Sequence, residues 1–130
     1  MTDNALTLLG LALRGNNLAV GEAPVEETCK AHRAKLVLSA ADAARNSVDR
    51  ARRWAQNGGV PWAGVPWDKQ TLGAALGRSS CAMAALTDRG LAGALAEKLV
   101  QVDGALRPTL EPLLYEKKNG RAQKPAAPET

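Results

Sequence analysis

Cys29 and His32 stand at Cys-x-x-His spacing and a second thiol follows at Cys81, so the chain holds the residue types of a soft-metal site. The set is incomplete: no fourth ligand accompanies the pair, and both thiols lie among apolar residues, which reads as packed, reduced cysteines without a metal. Catalytic chemistry finds as little material. There is one histidine, no nucleophile elbow, no phosphate-cradling glycine loop and no carboxylate pair in a recognisable setting. The expectation is a binding module with no catalytic residue, no cofactor and no small-molecule substrate.

What remains is charge and hydrogen bonding. The chain's 17 Lys and Arg against 13 Asp and Glu leave a net charge of +4 over 130 residues, mild but compatible with a polyanionic partner such as RNA. Arg45, Arg50, Arg52 and Arg53 read as a solvated helix face. Glu22, Glu26 and Glu27 suit the positive end of a helix dipole. Trp62 and Trp67 are expected at the core and its edge, with base stacking as the alternative, and Trp54 flanks a helix. In the tail, Lys117, Lys118, Arg121 and Lys124 serve solubility, or else sequence-independent RNA affinity.

The elements that must position these residues follow from periodicity. Asn4 caps a first helix carrying Leu6, Leu9 and Leu13 and stopped by Gly15. Leu18 to Val20 form a short strand before Gly21, where the backbone turns. A second helix begins at Glu22, with Pro24 in its first turn and Val25 and Cys29 on one face, and His32 and Arg33 close its carboxyl end. Leu36 to Leu38 read as a strand buried on both faces. Ser47 opens a third helix, ended by Gly58 and Gly59, in which Val48, Ala51 and Ala55 face inward and Asp49, Arg50 and Arg53 outward. A strand over Val60 to Val65 starts with Pro61. Asp68 then caps a short helix ending at Gly77, Cys81 to Leu86 form another buried strand, and Asp88 caps a helix marked by Leu91, Leu95 and Leu99.

This alternation predicts an α/β fold, a three-layer α/β/α sandwich around a small mixed four-stranded sheet. The length fits one domain over residues 1–104, an additional helical segment over 105–118 containing Leu106, Leu110, Leu113 and Leu114, and a disordered tail over 119–130. With aromatics at only 3% of residues, the core must be built from Leu, Val and Ala, hence from closely packed helices. The long apolar run Ala5 to Leu13 falls well short of the ~20 residues of a membrane span, so no membrane partner is expected.

Motif by motif, the chain resembles a known family. Leu8-Leu9-Gly10-Leu11-Ala12-Leu13-Arg14, Val20-Gly21-Glu22, Ala34-Lys35-Leu36-Val37-Leu38 with Ala41-Asp42-Ala43, Val60-Pro61, Leu72-Gly73-Ala74-Ala75-Leu76-Gly77 and Ala82 to Asp88 occur in family order over roughly residues 5 to 100. They are similar to the small ribosomal proteins that bind kink-turns in RNA, the family named for the archaeal large-subunit protein "L-seven-Ae", and especially to its bacterial, ribosome-associated branch. The resemblance implies a cytoplasmic protein whose partners are structured RNA, ribosomal RNA included, and ribosomal proteins. It implies that RNA is held by the turn and amino end of the second helix together with the loop before the last strand. Carried onto this chain, Gly21 and Glu22 match, and Arg14, Asn16, Asn17, Arg78, Ser79 and Ser80 are the flanking polar or basic candidates. The chain departs from the pattern at Ala23, which cannot hydrogen-bond a base, at Pro24, and at Glu27, which replaces the usual lysine and repels phosphate. The alternative is therefore a protein-interaction module on the same fold that has lost kink-turn binding.

Overall fold

The computed structural model describes residues 3–114. The expected tail over 119–130 with Arg121 and Lys124, and the end of the expected helical segment with Lys117 and Lys118, lie outside the described residues. Four strands, β1 (Leu18–Val20), β2 (Leu36–Ser39), β3 (Trp62–Gly64) and β4 (Met83–Leu86), make one sheet in the order β1-β4-β2-β3. β4 runs antiparallel to both neighbours, pairing Val20 with Ala84 and Leu36 with Leu86, whereas β2 and β3 are parallel with Val37 beside Trp62. The two central strands are buried at every position, as a sheet covered on both faces requires.

Alternation along the strands assigns the layers. Val37, Met83 and Ala85 meet Val25 and Cys29 of α2 (Glu22–Lys30) and Ala51 and Ala55 of α3 (Arg45–Gly58). Leu36, Leu38, Ala84 and Leu86 point the other way. They meet Leu9 and Ala12 of α1 (Asp3–Arg14), Leu72 of α4 (Lys69–Ala75), and Leu95 and Leu99 of α5 (Arg89–Val102). The result is the expected α/β/α sandwich. A 3-10 turn, Gly104–Leu106, then leads into helical backbone over residues 107–114. Leu110 and Leu113 of that segment join the larger core, and Pro112 lies within the helix without stopping it.

Several boundaries differ from the expectations. Asn4 lies inside α1 instead of capping it. α3 begins at Arg45, two residues before Ser47, after an Ala44 cap whose methyl can make no hydrogen bond, and the Ser47 hydroxyl donates instead to Glu22. β3 starts two residues late: the Val60 amide closes the end of α3 on the Ala55 carbonyl and Pro61 has no amide to give. β4 likewise starts at Met83, since the Cys81 amide turns to the Lys69 carbonyl at the head of α4.

Four helices stop in the same way. The two amides beyond the end of α1 donate backward, Asn16 to the Leu13 carbonyl and Asn17 to that of Ala12. This is a Schellman closure with Asn16 in the left-handed region at φ 63°. So it is Asn16, not Gly15, that reverses the chain. α2 closes likewise through His32 and Arg33, with His32 at φ 57°, while α3 and α4 use Gly59 and Gly77 at the equivalent position.

Candidate nucleic-acid interface

β1, β2 and β3 finish at one end of the sheet, and β4 begins there. Gly21 leaves β1 at that end and takes φ 99°, ψ 168°, a backbone region essentially confined to glycine. Its amide donates to the Met83 carbonyl at 3.1 Å, and its carbonyl accepts from Val25 at 3.0 Å to start α2. An added Cβ would meet nothing closer than Pro24 Cδ at 3.9 Å, so the restriction is conformational and the space above the glycine is open.

Glu22 follows and is held by α3. Arg50 donates Nε and Nη2 to its two carboxylate oxygens at 3.0 and 2.9 Å, and the Ser47 hydroxyl donates at 2.9 Å. Ser47 and Arg50 are three apart, hence on one helix face, which is why both reach the same carboxylate. The hydrogen bonds from Arg50, then that from Ser47, hold the Glu22 carboxyl below its ordinary value, so at neutral pH the group is an ionised partner of Arg50. Both side chains stay about two-fifths exposed, leaving the remaining guanidinium N–H groups open to solvent. Arg50, expected on a solvated helix face, is thus half of an ion pair. The signal for its pairing was the Ser47/Arg50 spacing, but the partner lies 28 residues away and only the tertiary fold shows it.

The loop Arg78-Ser79-Ser80 runs back along α4 toward this same sheet end. Gly73 permits it, since a Cβ there would stand 2.7 Å from the Ser80 N and Cα atoms. Met83, whose carbonyl holds the Gly21 amide, lies three residues beyond Ser80. All three loop side chains are exposed. Ala23, Pro24 and Glu27 are exposed on the first turns of α2, and Glu26 is paired with Lys30 at 3.2 Å.

The other candidates stand apart. Asn17 is at the opposite end of β1, where its carbonyl accepts from Thr87. The four residue steps from Gly21 correspond to about 13 Å at extended-strand rise. Asn16 closes α1 beside it. Arg14 lines a shallow depression between α1 and α4 with Thr7, Gly10 and Ala75. Thus Gly21, Glu22 and the 78–80 loop share one end of the sheet, whereas Asn16 and Asn17 mark the other.

Trp67 is in the larger core, and Trp62 is half-buried, its Nε1 donating to Ser39 and Arg52 lying 5.1 Å from its ring centroid. Cys29 and Cys81 are buried in separate cores as free thiols, Cys81 Sγ donating to the Met83 carbonyl at 3.3 Å, and burial pushes both thiols up. Among the described residues no group of three His, Cys, Asp or Glu could hold a metal, and no helix is long and apolar enough to cross a membrane.

No protein-family model matches the chain, and no curated sequence does either. Solved structures do. One from Bacillus halodurans C, a protein of unknown function, superposes with a TM-score of 0.68 at 27% identity over 73% of this chain and 95% of its own. The Giardia lamblia 15.5 kDa RNA-binding protein superposes with a TM-score of 0.61 at 21% identity over 79% of this chain and 88% of its own. The likeness is one of fold.

Proposed function

We propose that this is an RNA-binding protein that grips structured, kink-turn-like RNA at the Gly21 end of the sheet, by shape and backbone contact and without catalysis. Gly21 carries the reading. It occupies a glycine-only conformation at the head of α2, with open space above it and the 78–80 loop at the same sheet end. A tight RNA bend can approach such a backbone closely, and the first amides of α2 suit a phosphate. The shared fold with an RNA-binding protein supports the same class of partner. Glu22 then acts through Arg50, fixing the guanidinium at the rim where its unused N–H groups meet phosphate, while Arg78, Ser79 and Ser80 supply the second wall. A cytoplasmic, ribosome-associated setting belongs to this proposal.

Electrophoretic mobility with a kink-turn RNA and a matched straight duplex tests it. Preferential retardation of the kink-turn, lost in Arg50→Ala and Arg78→Ala, is expected. Equal or absent binding to both RNAs would sink the kink-turn reading. Exposed Ala23, Pro24 and Glu27 favour a second reading, a protein-interaction surface on the same fold. A pull-down from nuclease-treated lysate that loses every protein partner would count against it.

A further inference from the structure

α2 and α3 lie side by side and point the same way. Glu22 meets Ser47 and Arg50 where they start, and where they end Gly58 packs on Cys29, so closely that an added Cβ would stand 3.1 Å from the Cys29 carbonyl oxygen. Between those carboxyl ends is a groove of about 260 Å³, lined by Cys29, Lys30, His32, Arg53, Trp54 and Asn57. Pockets for drug-sized ligands begin at about 300 Å³, so this groove has room for one ring system with a charged group attached.

The three tryptophans are used differently. Trp62 is tied to Ser39 and faced by Arg52, and Trp67 is in the larger core. Trp54 is half-buried: part of it packs on the smaller core, and the rest lines the groove. Arg53 and Asn57 are exposed beside it and four residues apart, hence neighbours on one helix face. Arg53 forms no ion pair among the described residues, whereas Lys30 is engaged by Glu26 at 3.2 Å. An aromatic surface, a side-chain amide and a guanidinium in one groove are the parts by which proteins hold an unpaired base and its phosphate. Arg53 also continues a line. It stands about one turn of α3 beyond Arg50, ~4.5 Å of helix rise, and Asn57 is ~6 Å further on. A strand leaving the Gly21 end along α3 passes Arg50 and then Arg53 before it reaches the groove.

We propose that this groove holds one unpaired nucleotide of a bound RNA strand: the base against Trp54 with its edge at the Asn57 amide, and the phosphate at Arg53. The helix ends favour that polarity. Their partial negative charge disfavours a phosphate at the carboxyl ends of α2 and α3 and leaves Arg53, more than a turn back, as its partner. The proposal rests on RNA as the partner and stands apart from the grip at Gly21.

The test follows the indole N–H of Trp54 and the side-chain amide of Asn57 by NMR, in the full chain at low salt, as hexauridylate, uridine 5′-monophosphate or a blunt RNA duplex is added. Both signals should move with hexauridylate and stay in place with the duplex, whose bases are paired. The mononucleotide should bind at least tenfold more weakly, because it brings no neighbouring phosphate to Arg50. Arg53→Gln should weaken hexauridylate binding about tenfold, as loss of one charge-assisted bond does. Lys98→Gln, on α5 across the sheet, removes the same charge and should leave the affinity unchanged. Trp54→Leu keeps an apolar side chain on the core and removes the ring, and should weaken binding about tenfold or more, the scale of one stacked base. Arg53→Gln changes an exposed position, so it decides the matter even if Trp54→Leu unfolds. The kink-turn assay separates the two sites, since Arg53→Gln should keep any preference for kink-turn over duplex. Shifts with hexauridylate in a protein without that preference support the groove and count against the Gly21 grip; the preference without the shifts does the reverse. No shift at Trp54 and Asn57 with millimolar hexauridylate, the same shifts with the duplex, equal affinity for the mononucleotide, or equal affinity in Arg53→Gln and the parent would overturn the proposal.

Discussion

At the scale of single residues, Gly21 and Glu22 divide the work at the head of α2 between backbone and charge. Gly21→Ala places a Cβ in open space but forces φ 99° on a residue that avoids it, so denaturant unfolding should show a loss of about 1–3 kcal/mol. Glu22→Gln should cost far less, because the ion pair with Arg50 is more than a third exposed. Its pH dependence identifies it. The folded Glu22 carboxyl is held below its ordinary value, so its contribution is complete above the usual glutamate range, begins to fall as pH enters that range and is gone once pH has dropped through the lower value of the folded state. Thermal melts of parent and variant should therefore differ at pH 7 and converge in acid. The sequence placed Ser47 at the start of a helix and Arg50 on its outward face, but not their shared use, because nothing local in the sequence relates them to a carboxylate on another helix.

At the scale of elements, the loop before β4 depends on α4. Ser80 backbone occupies the space a side chain at position 73 would take. Gly73→Ala should therefore destabilise the fold by about 1–3 kcal/mol of overpacking, which outweighs the ~1 kcal/mol of helix propensity that alanine adds. Amide shifts of Ser79 and Ser80 should move with it. If the loop forms the second wall for RNA, kink-turn affinity falls in the same variant. Helix starts and stops were only partly legible. Asp68 and Asp88 cap as their spacing predicts, on Thr71 and Leu91. Gly15 does not stop α1, since a Schellman closure one residue later places Asn16 in the left-handed position, and asparagine tolerates it. Strand starts moved for a related reason: the amides of Val60 and Cys81 are claimed by neighbouring helices before the ladder begins.

At the scale of the whole molecule, the segment after Gly104 belongs to the packing of the domain. Leu110 is fully buried in the larger core. Leu110→Ala should cost about 2–5 kcal/mol by equilibrium unfolding, the range for a buried leucine that leaves a cavity. The topology gives the two sheet ends different side chains. Glu22 pairs with Arg50 near the carboxyl end of β1, whereas His32, Arg33 and Lys35 line one depression at the other end of the sheet.

The sequence by itself determined the order of elements, the two-sided burial of β2 and β4 and the three-layer sandwich, because continuous apolar runs between helical stripes allow few other arrangements. It also marked Gly21 as a turn. What the tertiary structure alone decided is which residues meet. A strand of three residues carries Asn17 and Gly21 to opposite ends of the sheet, although in sequence they read as one site. α3 brings Arg50 across to Glu22, and the segment over residues 107–114 folds back to place Leu110 and Leu113 in the larger core. Periodicity reports which face of an element is buried; it does not report the neighbour on that face, and each of these juxtapositions is made by residues distant in the chain or separated by the length of a strand.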